Sequence, residues 1–269
     1  MLKQFKYALF AGVILSLAPQ AFAETPKDTL VIAKTIDDII SLDPAEAYEF
    51  MGIEVIANTY DRIMRFEPTD ITKLVPGMAE SYTTSEDGKT FTFKMRGGQK
   101  FASGNPVTAA DAVFSLQRVV KLDKTPAFLV GQLGWTKENV DSMVKLVDDS
   151  TFTITIGEDF SPSLVLALLS SVVGSVVDQK VAMEHEAAGD MGNSWLKTNS
   201  AGSGAYSLKS WKASESVSLE ANPNYRGGMA ALKRVIIMMP DIIERGSPVI
   251  DTMRSTSING SSGNRTRVG

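Results

Sequence analysis

The chain has 269 residues, of which 43% are apolar and 22% charged, with 27 Lys and Arg against 31 Asp and Glu for a net charge of -4. That balance excludes disorder, collagen-like repeats and coiled coil, and it lacks the basic surplus that neutralising a phosphate backbone requires, so no nucleic acid is expected as a partner. There is no cysteine and a single histidine, His185, which removes disulfides, thiolate nucleophiles, zinc-thiolate sites and any multi-histidine metal centre, so neither cofactor nor metal is expected.

Residues 1–23 read as an address. Lys3 and Lys6 precede an apolar run from Tyr7 to Leu17, Pro19 closes it, and Ala21-Phe22-Ala23 has the small-x-small form of a signal-peptidase site. The run is too short to span a bilayer, so the expected destination is the periplasm, reached through a cleaved signal peptide. The mature chain then opens with a buried strand over Thr29–Lys34 and a loop carrying Asp37, Asp38 and Leu42-Asp43-Pro44. From Phe50 to Met64 apolar residues recur at spacings of three and four, which predicts one helix with a core-facing stripe of Phe50, Ile53, Ile56, Ala57, Tyr60, Ile63 and Met64.

Next comes a hairpin. Ser81–Thr84 and Thr90–Arg96 flank Asp87-Gly88, which supplies the positive φ of a tight turn, and Phe91, Phe93 and Met95 share one face. Thr108 and Asp111 have capping-box spacing at the start of a helix over Ala109–Val120 whose buried stripe is Val113, Leu116 and Val120. A second hairpin joins Val144–Val147 to Thr151–Ile156. Pro162 opens a helical run in which Leu164–Val173 is apolar nearly all round and expected to be buried. A third hairpin, Ala205–Trp211 with Ser216–Glu220, precedes a final strand over Leu232–Met239. Strands and helices mix without a regular βαβ period, which favours α+β or mixed α/β. Beyond Gly246 the chain is rich in Ser, Gly, Thr and Asn without apolar period, and a packed element is not expected.

Catalytic patterns fail one by one. Gly88-Lys89-Thr90 ends like a P-loop but lacks the upstream glycine; His185-Glu186 lacks the second histidine of a zincin; Ser203 has alanines where a nucleophile elbow needs glycines. His185 reads as a solvated helix residue between Glu184 and Glu186, and Trp135, Trp195 and Trp211 as packing. The adjacent acids Asp37-Asp38 and Asp148-Asp149 leave a secreted carboxylate-dependent hydrolase as a formal alternative, although neighbours in a strand point to opposite faces and neighbours in turns are solvated. No catalytic residue is assigned and the chain is not expected to be an enzyme.

One stretch has a specific order of features. Pro76-Gly-Met-Ala-Glu-Ser81 runs into the Asp-Gly hairpin, a Phe-x-Phe strand, Arg96-Gly-Gly98, Lys100-Phe101, and then Pro106 through Ser115. Leu42–Phe50 with Asn58-Thr-Tyr-Asp61, Ser200–Trp211 and Asn222–Gly228 stand at matching distances. Together these resemble the signature of the dipeptide- and oligopeptide-binding (peptide/nickel) class of solute-binding proteins that serve bacterial ABC importers, over about residues 24–240. The glycines, prolines and asparagines among them also suit tight turns, so they mark the fold more than a ligand.

The resemblance implies a mixed α/β, periplasmic-binding-protein-like fold (type II, cluster C) with the first lobe only and the second lobe missing. It implies a lobe over 24–240, with the family's extra subdomain at about 60–190, and a non-family tail at 241–269. It also implies binding of a peptide or other small extended solute, delivery to a membrane ABC permease, and a monomer. The segment after Leu-Asp-Pro lines the family's cleft, which carried across gives Ala47, Tyr48, Glu49 and Phe50; the alternative is that Tyr48 and Phe50 pack the start of the helix. The ligand-pairing acid of the second lobe has no counterpart. The expectation is therefore a frameshifted or truncated product, with a non-functional fragment as a second reading.

Overall fold

The computed structural model describes residues 25–157 and 160–241; the expected signal segment and the Ser/Gly-rich tail lie outside them. In chain order the strands and helices are β1 (Thr29–Ala33), α1 (Phe50–Thr59), β2 (Met64–Glu67), β3 (Asp70–Pro76), β4 (Ala79–Thr84), β5 (Thr90–Met95), α2 (Ala109–Leu122), α3 (Ala127–Gly131), α4 (Val140–Met143), β6 (Val144–Asp148), β7 (Thr151–Thr155), α5 (Pro162–Ser170), α6 (Gln179–Glu184), α7 (Asn193–Leu196), β8 (Tyr206–Lys212), β9 (Ser216–Ala221) and β10 (Arg234–Met238). The three expected hairpins and the flanking strands are present, in a mixed α/β arrangement of two four-stranded sheets and a separate β2–β3 ribbon.

The first sheet has the order β1-β10-β9-β8, with β1 parallel to β10 and the other pairs antiparallel. Period-two alternation puts Val217 and Leu219 of β9 with Val235 and Ile237 of β10 on one face, where they meet Met51 and Val55 of α1 and Ile36, Ile39 and Leu42 of the β1–α1 loop. The second sheet has the order β4-β5-β7-β6. Its Phe91, Phe93 and Met95 are buried as alternation predicts, and Phe93 stacks on its cross-strand partner Phe152 at 5.1 Å and 13°. Burying each such ring is worth roughly 1.5–3 kcal/mol against leaving it in water. Leu116, Val119 and Val120 of α2 cover this sheet, and the core continues through Val165, Leu169 and Val172. Ile56 of α1 belongs to this second core, so α1 is shared between the two.

Two sequence expectations are corrected. The helix expected to reach Met64 ends at Thr59, because Tyr60 turns to extended backbone with φ -126 and ψ 138. Tyr60, Ile63 and Met64 are buried all the same, through the turn and β2 rather than through a helical face, so the spacing continued by coincidence. Phe50, expected in the buried stripe, is 91% exposed and Ala57 is exposed; the inward face is Met51, Gly52, Val55, Ile56 and Thr59. Likewise α5 buries Val165, Leu166 and Leu169 but leaves Leu164 exposed, so its apolar character exceeds its burial.

The glycines of Ala201–Ala205 explain why the helix stops there. A Cβ on Gly204 would stand 2.5 Å from the Asn58 carbonyl oxygen, and the Gly204 amide donates to the Thr59 carbonyl at 3.1 Å. The approach to β8 thus closes the carboxyl end of α1, a contact only glycine permits. Asn222 holds the same loop from the other side, its amide nitrogen donating to the Gly204 carbonyl at 2.8 Å. At α2 the capping box is formed, with Asp111 accepting from the Thr108 amide at 2.9 Å.

Candidate functional site

In an open α/β sheet, ligands gather outside the carboxyl ends of the parallel strands. Here those ends belong to β1 and β10, whose exits are tied together by the Lys34 amide donating to the Met238 carbonyl at 3.0 Å. The β1–α1 loop that leaves this edge crosses from the first core, at Leu42, into the second, at Ala45 and Ala47.

A buried ion pair fixes that crossing. Asp43 and Arg118 are 0% and 1% exposed, and both guanidinium terminal nitrogens reach the two carboxylate oxygens at 2.6 Å. Asn193 Nδ2 donates to Asp43 Oδ2 at 2.7 Å, the Ala45 amide donates to Oδ1 at 2.9 Å, and Arg118 Nε donates to the Met191 carbonyl at 2.8 Å. A forked, fully hydrogen-bonded pair of this kind is the form in which charge can be buried at tolerable cost. The neighbouring Glu46 is pushed up by burial, but the Asn193 amide and the Lys197 ammonium, at 3.1 Å each, outweigh this and hold its carboxyl below the usual range. Sequence reasoning missed Arg118: it stands off the Val113–Leu116–Val120 stripe, and periodicity reads such an arginine as solvated.

Past Ala47 the chain surfaces abruptly. Ala47 is fully buried, so its side chain is not on the surface; Tyr48 is 42% exposed, Glu49 is half-buried and Phe50 is 91% exposed. Tyr48 meets Phe128 of α3 edge to face, at 5.3 Å and 83°, and Phe128 is itself half exposed. Phe128 in turn lines an open groove of about 500 Å³ together with Val120, Ala127 and Trp135 among others. Tyr48 therefore does pack on the protein, whereas Phe50 packs on nothing that hides it from water.

The remaining candidates are occupied structurally. Asp38 accepts from the Met51 amide at the start of α1, Asp148 accepts from Ser150 within a turn, and Gly88-Lys89-Thr90 leads out of the β4–β5 turn. Ser203 is buried with its hydroxyl against the Met78 sulfur. Exposed His185 stacks flat on Trp195 at 4.2 Å, and Trp135 is buried with its indole nitrogen donating to the Thr155 carbonyl at 2.7 Å. A second groove, of about 650 Å³, runs between the start of α2 and α6. Both of its aspartates are committed: Asp111, raised by burial, serves the capping box, and Asp178 accepts from Ser103 and Asn105. Among the described residues no cluster of acids and histidine could hold a metal ion, and no helix is long and apolar enough to cross a membrane.

A mixed α/β lobe with this sheet order has the fold of periplasmic-type binding proteins. The chain belongs to the bacterial extracellular solute-binding proteins, family 5, whose middle region matches residues 73–244. It is 32% identical over 237 residues to the "Probable D,D-dipeptide-binding periplasmic protein DdpA" of Escherichia coli, covering 87% of this chain and 43% of that protein. To the periplasmic oligopeptide-binding protein OppA of Salmonella typhimurium it is 32% identical over 165 residues, covering 56% of this chain and 28% of that protein. The fold matches the crystal structure of NikZ from Campylobacter jejuni in complex with Ni(L-His) with a TM-score of 0.69 at 23% identity, over 89% of this chain and 46% of that one. The chain thus spans less than half the length of the relatives it matches.

Proposed function

We propose that the chain forms one wall of a periplasmic solute-binding protein that takes peptides or similar extended solutes and delivers them to a membrane ABC permease, as a monomer and without catalysis. Membership of family 5 over residues 73–244 carries this reading, and relatives named for dipeptide and oligopeptide binding support it. The signal-like residues 1–23 and the periplasmic relatives support export to the periplasm. The hydrolase alternative loses its support, since both Asp pairs include a residue used for local backbone capping.

The ligand-facing segment is Tyr48, Glu49 and Phe50, with Ala47 as its buried root and Phe128 as a neighbour. An extended ligand laid along this edge would be held by main-chain hydrogen bonds, with the aromatic rings forming tolerant side-chain contacts. A single wall cannot bury the 70–90% of a ligand that tight sites enclose, so this stretch alone should bind peptides more weakly than about 1 μM. The test is heteronuclear NMR of the chain titrated with a panel of di- to tetrapeptides. Shifts confined to residues 47–50 and Phe128 are expected; shifts centred elsewhere would overturn the site. Micromolar affinity by calorimetry would overturn the need for a second wall.

A further inference from the structure

We propose that the end of α1 carries a second, separate site for a divalent oxyanion of the phosphate or sulfate type, built from Arg62, Arg65 and Arg226 around Asp61. Just past α1 a cavity of about 160 Å³ is lined by Ala57, Tyr60, Asp61, Arg62 and Arg65. At the ~30 Å³ that each water occupies in the liquid, this is the space of a small oxyanion with a few waters. The charges around it do not balance. Among the described residues Asp61 is the one acid lining the cavity, and it is already met by Arg226, whose Nε donates to Asp61 Oδ2 at 3.3 Å. Among the described lining residues, Arg62 and Arg65 therefore add positive charge that no second acid offsets.

Their hydrogen bonding is equally incomplete. Arg62 uses one terminal nitrogen, donating to the Ser170 carbonyl at 2.9 Å, while its Nε is buried without a partner. Arg65 has its Nε buried without a partner, and its charge acts on the Asp61 carboxylate without a hydrogen bond to it. Buried guanidinium donors without acceptors are costly, and the groups that satisfy them bidentately are carboxylates and tetrahedral oxyanions. Two surplus charges select a dianion over a monocarboxylate by simple Coulomb attraction. Burial also pushes the Asp61 carboxyl up in spite of Arg226 and Arg65, which fits a region where polar groups are poorly solvated and an incoming anion meets little competing water. This site lies at the opposite end of α1 from Tyr48 and Phe50, so it stands independently of the solute-binding reading.

The experiment is a thermal-shift and calorimetric titration of the whole chain with inorganic phosphate, compared with acetate and with sodium chloride at matched ionic strength. A saturable phosphate response with half-saturation on the order of 1 mM is expected, as a few charge-assisted hydrogen bonds at a partly open site provide, with acetate at least about 10-fold weaker. Arg65→Gln and Arg226→Gln, each with an unchanged melting profile in chloride, should weaken phosphate by about 10-fold or more. If Arg65→Gln fails to fold, Arg65→Lys decides, since it keeps the charge but loses the fork and should still weaken binding. An adventitious effect of ionic strength, equal in phosphate and chloride, would overturn the proposal. So would a saturable response that none of the variants alters, or acetate binding as well as phosphate.

Discussion

Residues 43 to 47 and residues 48 to 50 are consecutive in the chain and opposite in character. The first group is locked: Asp43 forms a forked ion pair with Arg118, Ala45 donates to that carboxylate, and Ala47 is wholly enclosed. The second group surfaces within one residue, ending at a phenylalanine that is 91% exposed. An exposed aromatic on a loose loop costs solubility and gains little, because ordering it on a ligand costs conformational entropy. The same aromatic on a rooted segment is already ordered, and that cost is removed from binding. Rigid root and open tip together are what the proposed binding edge requires.

The comparison breaks most severely at the root. Arg118→Met leaves the Asp43 carboxylate buried without its partner, and stability should fall by about 3–5 kcal/mol in denaturant unfolding. Arg118→Met combined with Asp43→Leu should recover a large part of this, because an apolar pair needs no compensation. A loss equal to the single variant would instead assign the effect to packing around the guanidinium stem. Next in size is Gly204→Ala, which drives a Cβ to 2.5 Å from the Asn58 carbonyl oxygen, a backbone atom that cannot rotate away. About 1–3 kcal/mol is expected from this overpacking, with the damage at the carboxyl end of α1 and not at Phe50.

The root also carries a pH signature. The Glu46 carboxyl is held below its ordinary range by Asn193 and Lys197 once burial has been outweighed. A group depressed in the folded state binds fewer protons there than when unfolded, so its stabilisation is present above the unfolded pKa and is lost as pH falls through the folded value. Asp190, brought down to about 2 by amides of Ala187, Gly192 and Ser194 after burial is overcome, acts with the same sign on the loop that carries Asn193. Hydrogen exchange should show the 186–196 segment loosening as pH drops from about 4 toward 2, before the second sheet opens. Asp190→Asn should remove the Asp190 share of that pH dependence and leave the Glu46 share, while the Thr153 and Phe152 amides stay protected.

How much of this could be read from the sequence follows the range of the interactions. The β4–β5 and β6–β7 hairpins were legible because alternation and turn chemistry act within a few residues, and Phe91, Phe93 and Met95 are buried as their spacing requires. The capping box at Thr108 and Asp111 was legible for the same reason. The β2–β3 ribbon was not. Its Phe66 and Ile71 are exposed, so no alternation separates its faces, and Met64 continued a helical spacing that the glycine loop at 201–205 cuts short from far along the chain. Arg118 was illegible because its partner lies 75 residues away, and nothing local distinguishes a buried arginine from a solvated one. Residues 47–50, the end of the root and the tip, were reached only through resemblance to a family. Its periodicity suggested burial for Phe50, and the structure gives the reverse.

That reversal sets the smallest stability effect and the sharpest functional one. Phe50 contributes almost no area to the core, so Phe50→Ser should change unfolding free energy by no more than about 0.5 kcal/mol, as surface substitutions generally do. If the ring serves only to start α1, helical content should fall, since serine and phenylalanine differ little in helix propensity but only serine can compete locally for backbone groups. If it serves as a ligand contact, folding and helicity should stay constant while the peptide-induced NMR shifts at Tyr48 and Phe128 shrink. Tyr48→Ala tests the neighbour by the opposite logic: its edge-to-face contact with Phe128 is worth about 0.5–1.5 kcal/mol, so it should cost stability as well as binding. A Phe50 variant that loses stability as Tyr48→Ala does would mean that the ring is covered in solution. The boundary between locked root and open tip would then move beyond Phe50, and the binding edge would have to be sought further along α1.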